Sequence, residues 1–131
     1  MSRRTLAAAA AVFVLWAMLD FVIHGMILRG VYERTERLWR PEGEMRMGLM
    51  YLVLAVAALC FTLVYERFVG RRNVRVAVLY GLLYGVGTGV SMGFGTYSVM
   101  PIPQVLAVGW FAGAVVEATA GGLVLGLVIR E

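Results

Sequence analysis

The stretch GLLYGVGTGVSMGFG, residues 81–95, decides the fold of this chain. Every fourth residue of a helix lies near one face, so glycines at this interval form a groove that another backbone can approach closely. In water, each glycine would destabilise a helix by about 1 kcal/mol relative to alanine. In a bilayer, the backbone must form its hydrogen bonds within the helix, and helix faces that lack large side chains can pack closely. We therefore predict a membrane helix whose packing face is Gly81, Gly85, Gly89 and Gly93.

The composition of the whole chain agrees with a membrane location. Of its 131 residues, 61% are hydrophobic and 15% are charged, whereas a soluble domain is about 45–50% apolar. Four apolar stretches each reach the length of about 20 residues that crosses a bilayer as a helix. We predict one domain, residues 1–131, with an all-α, integral membrane four-helix bundle. Its helices run over about 5–28, 45–67, 74–97 and 104–129.

The fourth predicted helix repeats the pattern of small residues in two adjacent rows. One row holds Glu117 together with the glycines Gly109, Gly113 and Gly121, and the other holds Ala114, Ala118, Gly122 and Gly126. These rows predict a glycine-rich interface between the third and fourth helices. The same rows can equally serve an interface between molecules. We therefore expect a homo-oligomer or a larger membrane complex, with the lipid bilayer as the surrounding partner.

The basic residues, all of them arginine, indicate the orientation of the helices, because cytoplasmic loops are enriched in positive charge. One side of the predicted bundle carries Arg3, Arg4, Arg67, Arg71, Arg72, Arg75 and Arg130. The other side carries Arg29, Arg34, Arg37, Arg40 and Arg46. The first side has the excess, so we predict that the N and C termini are cytoplasmic, as in a bacterial inner membrane protein. No motif for nucleic-acid binding accompanies these charges.

Residues 29–40 are predicted to form an amphipathic helical extension. Glu33 with Arg37, and Glu36 with Arg40, stand at the i,i+4 spacing that favours ion pairs. The segment either continues the first helix or lies on the membrane surface. Its apolar stripe is formed by Val31, Tyr32, Leu38 and Trp39.

Three ionisable residues stand well inside the apolar runs: Asp20 and His24 in the first helix, and Glu117 in the fourth. An isolated charge in a bilayer costs at least about 2.5–3.5 kcal/mol, so each is a candidate functional residue. Asp20 and His24 are one turn apart on the same face. Helical rise places Thr88 and Ser91 of the third helix at matching depths, and Tyr84 is a hydrogen-bonding candidate for Glu117. The six candidate ligand- or ion-binding residues are Asp20, His24, Tyr84, Thr88, Ser91 and Glu117.

Three interpretations of these residues remain open. In the first, the polar groups bond across helices and only stabilise the packing. In the second, the two carboxyl groups and the imidazole bind a cation or relay protons, as intramembrane Asp, Glu and His residues often do. In the third, Asp20, His24 and Glu117 are ligands of a metal, because Asp-x-x-x-His places two ligands on one helix face.

No cofactor is identified by the sequence. A di-metal bundle site would need several Glu and Glu-x-x-His ligands, which the chain does not contain. A single histidine would leave haem with His alone or with His and methionine. There is no phosphate loop and no nucleophile–base pair at a recognisable spacing, so no catalytic residue is predicted and an enzyme is the least favoured class.

Three hypotheses about function follow, of which the third ranks last. The first is a small transporter-like or cation- or proton-binding membrane protein. The second is a non-catalytic accessory or scaffold subunit, whose glycine faces and first-loop segment dock a larger complex. The third is a metal- or haem-binding bundle. Small multidrug transporters and fluoride channels are similar in size, but the polar residues of this chain follow neither pattern, and no family is recognised.

Overall fold

The computed structural model describes residues 1–130. Within that range the fold is all-helical, and four long apolar helices confirm the four predicted helices. They are α1 (Arg3–Ile27), α2 (Met47–Phe68), α3 (Val74–Val99) and α4 (Gln104–Val128). By length and composition, each of the four can cross a membrane.

Polar side chains cap the N-termini of α1 and α3. The Ser2 Oγ accepts a hydrogen bond from the Thr5 backbone N–H at 3.0 Å, and the Asn73 Oδ1 accepts one from the Val76 N–H at 3.0 Å. Asn73 is a residue type that favours the N-cap position, and it directly precedes α3. Gly70 does not end α2 through a left-handed turn, since α2 ends at Phe68 and no glycine in residues 1–130 has positive φ.

The helix α4 is the centre of the bundle, because it packs against both α3 and α1. The helix α1 also packs against α2. The contact between α2 and α3 is made by aromatic side chains, and the Tyr80 hydroxyl donates to the Phe61 carbonyl at 2.7 Å. Neighbouring helices run in opposite directions: along α3, Gly81 lies against Ala118 of α4 and Gly93 lies against Ala107.

The glycine face of α3 lies directly against the backbone of α4. A Cβ atom added at Gly85 would lie 2.8 Å from the Ala114 carbonyl oxygen and from the Val115 Cα. A Cβ at Gly81 would overlap the Ala118 carbonyl, and one at Gly93 would overlap the Ala107 carbonyl. Any side chain at these positions would therefore push α3 away from α4.

The row of α4 that contains Gly109 and Gly121 faces away from α3. A Cβ at Gly109 would lie 2.8 Å from the Leu28 side chain, and one at Gly121 would lie 2.9 Å from the Trp16 Nε1. This row, with Gly113, was predicted to lie at the interface with the third helix, but its neighbours are α1, Leu28 and, at Gly121, also Phe61 of α2. The physical reason is that α4 lies between two helices, and adjacent rows on a helix point in directions about 100° apart.

Two apolar clusters stabilise the bundle, one toward each end. At the end where the chain termini lie, α1, α2, α3 and α4 bury the side chains of Ala8, Val12, Trp16, Ala58, Phe61, Tyr65, Ala77, Ala118, Leu125 and Ile129. At the opposite end, the first loop and the start of α4 bury Leu28, Val31, Ile102, Leu106 and Ala107. The polar residues of α1 and α4 lie between these clusters.

The segment after α1 forms less helix than predicted. An α-helix covers Arg29–Arg34, a 3₁₀ turn follows at Glu36–Leu38, and α2 begins only at Met47. We call Arg29–Arg34 the loop helix. Since it ends at Arg34, the i,i+4 spacing of Glu33–Arg37 and Glu36–Arg40 is lost. The loop-helix ion pair that forms joins Arg29 to Glu33, with Nε and Oε1 2.9 Å apart.

Most of the apolar surface of the helices points outward. In the most apolar window of each long helix, only 17% to 33% of the residues are buried inside the bundle. The first half of α2 is the most open part, since every residue from Met47 to Val53 is exposed. In water, a partner would be needed to cover this apolar surface, whereas in a bilayer the surface can contact lipid tails directly.

Candidate functional site

Asp20 and His24 lie on one face of α1, one turn apart as predicted. The His24 Nε2 is 3.6 Å from the Asp20 Oδ1, which is an ion-pair distance rather than a short hydrogen bond. Their side chains are 35% and 40% exposed, respectively. The two groups are therefore neighbours that remain accessible from outside the packed helices.

A π-helical turn at the end of α1 carries His24. Over Ile23–Ile27 the helix widens, and the Leu28 N–H donates to the Ile23 carbonyl, five residues earlier, at 2.8 Å. Turns of this type are rare and often occur at functional sites. Leu28 leaves helical geometry, with φ −92° and ψ 0°, and is buried against α4. The turn and this break direct the loop helix back over the end of the bundle.

The loop helix places Tyr32 against His24. The Tyr32 hydroxyl is 2.7 Å from the His24 Nδ1, and the Trp110 Nε1–H of α4 donates to the same hydroxyl at 2.7 Å. Tyr32 and Trp110 are 78 positions apart in the sequence. One phenol therefore connects α1, the loop helix and α4 at a single point.

An aromatic group supports Tyr32 from the loop side. The Trp39 ring contacts the Tyr32 ring edge-on, with 5.5 Å between centroids, and lies 6.1 Å from the Trp110 ring. The Trp39 Nε1–H donates to the Thr35 Oγ1 at 3.0 Å, and the Thr35 hydroxyl donates to the Val31 carbonyl at 2.8 Å. These contacts hold the phenol in a defined orientation toward His24.

Glu117 approaches the same group from the middle of α4. Its carboxyl group lies close to that of Asp20. Its Oε1 atom is buried and has no hydrogen-bond partner among the described residues. Its backbone carbonyl accepts a hydrogen bond from the Trp16 Nε1–H at 2.7 Å, which ties α4 to α1 beside the carboxyl pair. The two carboxyl groups thus face each other across the α1–α4 interface.

The positions of the protons in this group follow from which side chains can donate a hydrogen bond and which can accept one. Trp110 can only donate, so the Tyr32 oxygen accepts from it and the phenol proton is directed to the His24 Nδ1. A neutral imidazole that accepts at Nδ1 carries its proton on Nε2, which faces Asp20. An ionised carboxylate only accepts, so a hydrogen bond between Asp20 and Glu117 requires a proton on one of them. The side chains form a chain of titratable groups, which we call the polar relay: Glu117, Asp20, His24 and Tyr32.

Tyr32, outside the four long helices, is the solvent-side member of the polar relay. Burial raises the pKa of its phenol above the usual value, the hydrogen bond from Trp110 opposes that shift, and the charge of Asp20 adds to it. The phenol therefore keeps its proton at neutral pH, as donation to His24 requires.

The other three predicted site residues make different contacts. The Tyr84 ring packs against the rings of Phe61 and Tyr80, toward α2. The Thr88 hydroxyl donates to the Tyr84 carbonyl of its own helix at 2.8 Å, and Ser91 is exposed. The structure therefore brings together Asp20, His24 and Glu117, and it directs Tyr84 and Thr88 into the packing of α3.

The geometry gives no support to a metal centre. Across residues 1–130, no group of three or more His, Cys, Asp and Glu side chains is arranged so that it could hold a metal ion. The interactions among these residues are pairwise: Asp20 lies 3.6 Å from His24 and is also close to Glu117. This arrangement suits the passage of a proton between neighbours better than the coordination of a cation by all three.

Tyr32 and Trp110 are the site residues that the sequence analysis missed. Tyr32 was assigned to an apolar stripe, and Trp110 was not singled out. A signal for Trp110 was present, because it precedes Gly113 by three residues and Glu117 by seven, which is the spacing of one helix face. No local pattern indicated Tyr32, because its place depends on the break at Leu28.

No family model, curated protein or solved structure matches this chain. The residues of the site and their geometry are therefore the basis for assigning a function.

Proposed function

We propose that this chain is a small integral membrane protein that binds and exchanges a proton at the Asp20–Glu117 pair, in the manner of a proton-coupled transporter. The four apolar helices and their outward-facing side chains support the membrane location. The close backbone contact of α3 with α4 supports a bundle packed through a glycine face. An even number of crossings would place both termini on one side, and the arginine excess favours the cytoplasm.

The observation that carries this proposal is the buried Glu117 carboxyl group, whose Oε1 has no hydrogen-bond partner among the described residues and which lies close to the Asp20 carboxyl group beside His24. Two carboxyl groups in contact cannot both ionise without strong repulsion, so the pair retains one proton that it can exchange. The low polarity of a bilayer makes an unpaired charge at this depth costly. A shared proton removes that cost, and its departure requires a nearby group that accepts it.

The polar relay supplies such a group. His24 is adjacent to Asp20 and is the one side chain type whose charge ordinarily changes near neutral pH. Since Nε2 carries the imidazole proton, uptake shifts three protons: His24 gives its Nε2 proton to an ionised Asp20, its Nδ1 takes the Tyr32 phenol proton, and the phenol is reprotonated from the first-loop end. Release of the proton is the reverse of these transfers. Tyr32 then connects the imidazole to the end of the bundle that carries the first loop. The exposed fractions of Asp20 and His24 support access from that end.

The accessory-subunit hypothesis receives less support from the packing. It assigned the docking of a partner to the glycine faces and to the first-loop segment. In the structure, the glycine face of α3 is covered by α4 of the same chain. The apolar residues of the first loop pack on Ile102, Leu106 and Trp110. Both surfaces are therefore used within one molecule.

Infrared difference spectroscopy on the reconstituted protein tests the proposal directly. We expect a pH-dependent C=O stretching band of a protonated carboxylic acid, because the pair holds a proton. Glu117→Gln and Asp20→Asn should each abolish or shift that band. The matched control is Glu33→Gln, since the Glu33 side chain is exposed on the loop helix and is distant in sequence from the pair.

Proton uptake into proteoliposomes tests the same site functionally. Under an imposed gradient, the wild type and Glu33→Gln should acidify the lumen faster than empty vesicles do, and Glu117→Gln should not. The absence of a protonated carboxyl band in the wild type, or its survival in both pair variants, would overturn the proposal. Normal assembly with no flux in any variant would instead favour the accessory-subunit hypothesis.

A further inference from the structure

A cavity lies at the opposite end of the bundle from the first loop. It has a volume of about 400 Å³ and lies where the start of α1, the end of α2 and the end of α4 meet. None of its residues belongs to the polar relay. Its lining consists of Ser2, Arg4, Glu66, Arg72, Ile129 and Arg130.

The charges around this cavity are mostly positive. Its lining holds three arginines and one acidic residue, Glu66. The Glu66 Oε1 already accepts a hydrogen bond from the Thr5 hydroxyl at 2.5 Å. Within residues 1–130, neither Arg4 nor Arg130 forms an ion pair with an acidic side chain. Arg4 and Arg130 therefore bring positive charge to the cavity that no described acidic side chain neutralises.

Two contacts give the cavity a defined shape. The Arg72 Nη1 donates to the Glu66 carbonyl oxygen at 3.2 Å, which holds this guanidinium at the cavity wall. The Ser2 Oγ is 2.7 Å from the Thr5 Oγ1 and caps α1 at the same point. Ile129, which is buried, supplies an apolar wall. A site with arginines on several sides, a hydroxyl and an apolar wall suits a phosphate group that is attached to an apolar body.

We propose that this cavity binds a phosphate group, and that the phosphate belongs to the headgroup of an anionic phospholipid. Guanidinium groups match the geometry of phosphate oxygens and can bind them in pairs. Basic pockets between helix ends at the membrane surface are typical sites for anionic headgroups. The first turn of α1 adds backbone N–H groups that favour an anion.

The test measures lipid binding to the full chain purified in a neutral detergent, by native mass spectrometry. The probes are phosphatidylglycerol, phosphatidylcholine and inorganic phosphate. We expect phosphatidylglycerol to remain bound to the wild type. In the double variant Arg4→Gln with Arg130→Gln, its affinity should fall about tenfold or more, because two charge-assisted contacts are lost.

The matched control is the double variant Arg71→Gln with Arg75→Gln. These two arginines are exposed at the same end of the bundle and do not line the cavity. Their substitution removes the same amount of positive charge as the Arg4 and Arg130 substitutions do. The control should bind phosphatidylglycerol like the wild type. The single variant Arg130→Gln, at an exposed position after α4, provides a second measurement if the double variant does not fold.

Each outcome decides the inference. Binding of phosphatidylglycerol that depends on Arg4 and Arg130 supports the lipid source. Equal dependence for inorganic phosphate, with no preference for the lipid, supports the phosphate site but replaces the lipid by a soluble phosphate. An equal loss in the control variant would overturn the inference, because general surface charge would explain the binding. Binding of neither probe would also overturn it, and would leave the proton site untouched.

Discussion

Tyr32 is the residue on which the orientation of His24 depends. Its hydroxyl accepts from Trp110 and faces the His24 Nδ1, both at 2.7 Å. The phenol therefore selects the imidazole tautomer that has its proton on Nε2, toward Asp20. An apolar residue at this position would make no hydrogen bond to the His24 Nδ1 and would favour neither tautomer.

We predict that Tyr32→Phe changes the tautomer of His24 and destabilises the fold. The ring can still pack on Trp39, but the Trp110 N–H and the His24 Nδ1 lose their shared partner, which should lower the free energy of unfolding by about 1–3 kcal/mol. His24 is the single histidine, so ¹⁵N NMR of histidine-labelled protein reports one imidazole. Tyr97→Phe, at an exposed tyrosine, is the control. Identical imidazole signals in wild type and Tyr32→Phe would contradict the assignment.

Tyr32 also predicts a loss of stability in alkali. Burial raises its pKa in the folded state above the ordinary value of 10.0. A raised folded-state pKa means that the native phenol holds its proton more tightly than the unfolded one does. Its stabilising contribution is therefore complete below about pH 10 and is lost as the pH rises through the higher folded value. The free energy of unfolding should fall more steeply above pH 10 in the wild type than in Tyr32→Phe, measured by denaturation in mixed micelles.

At the scale of the elements, the α3–α4 contact depends on the absence of side chains at one glycine face. The atoms nearest to Gly81, Gly85 and Gly93 belong to the backbone of α4, which cannot move aside as a flexible side chain can. Gly87 lies on another face of α3, and a Cβ there would meet nothing within 4 Å. The two kinds of glycine in one helix therefore have different roles.

We predict opposite effects for Gly85→Ala and Gly87→Ala. At Gly85, the new Cβ would lie 2.8 Å from α4 backbone atoms, so the helices must separate, and the free energy of unfolding should fall by about 1–3 kcal/mol. At Gly87, alanine adds helix propensity without a clash, so stability should stay the same or rise by up to about 1 kcal/mol. Titration with sodium dodecyl sulfate measures both. Equal effects of the two substitutions would contradict the packing described for α3.

At the scale of the whole molecule, the two ends of the bundle carry different chemistry. The end with the first loop closes over the polar relay with aromatic side chains. The end with the chain termini carries the arginine-lined cavity. If the protein crosses the bilayer four times, these two ends lie on opposite sides of the membrane.

Cysteine labelling tests this topology. In a Cys60→Ser background, Gly43→Cys marks the first-loop end and Gly70→Cys marks the end of the termini, and a side chain meets nothing within 4 Å at either glycine. A membrane-impermeant maleimide added to intact cells should label Gly43→Cys, and added to inverted vesicles it should label Gly70→Cys. Labelling of both positions from the same side would contradict four crossings.

Local periodicity in the sequence was enough to determine the four apolar helices and the shared face of Asp20 and His24. These features depend on residues three or four positions apart, so composition and spacing carry the information. The same holds for the small-residue rows of α3 and α4, whose existence follows from spacing alone. The cap at Asn73 is likewise a property of neighbouring residues.

The tertiary structure alone decided which surfaces meet. The row Gly109, Gly113 and Gly121 faces α1 and Leu28 because α4 lies between two helices, a fact that no spacing within α4 contains. Tyr32 reaches His24 because the chain widens over Ile23–Ile27 and leaves helical geometry at Leu28. Contacts between distant segments depend on how the whole chain packs, and the polar relay is made of such contacts.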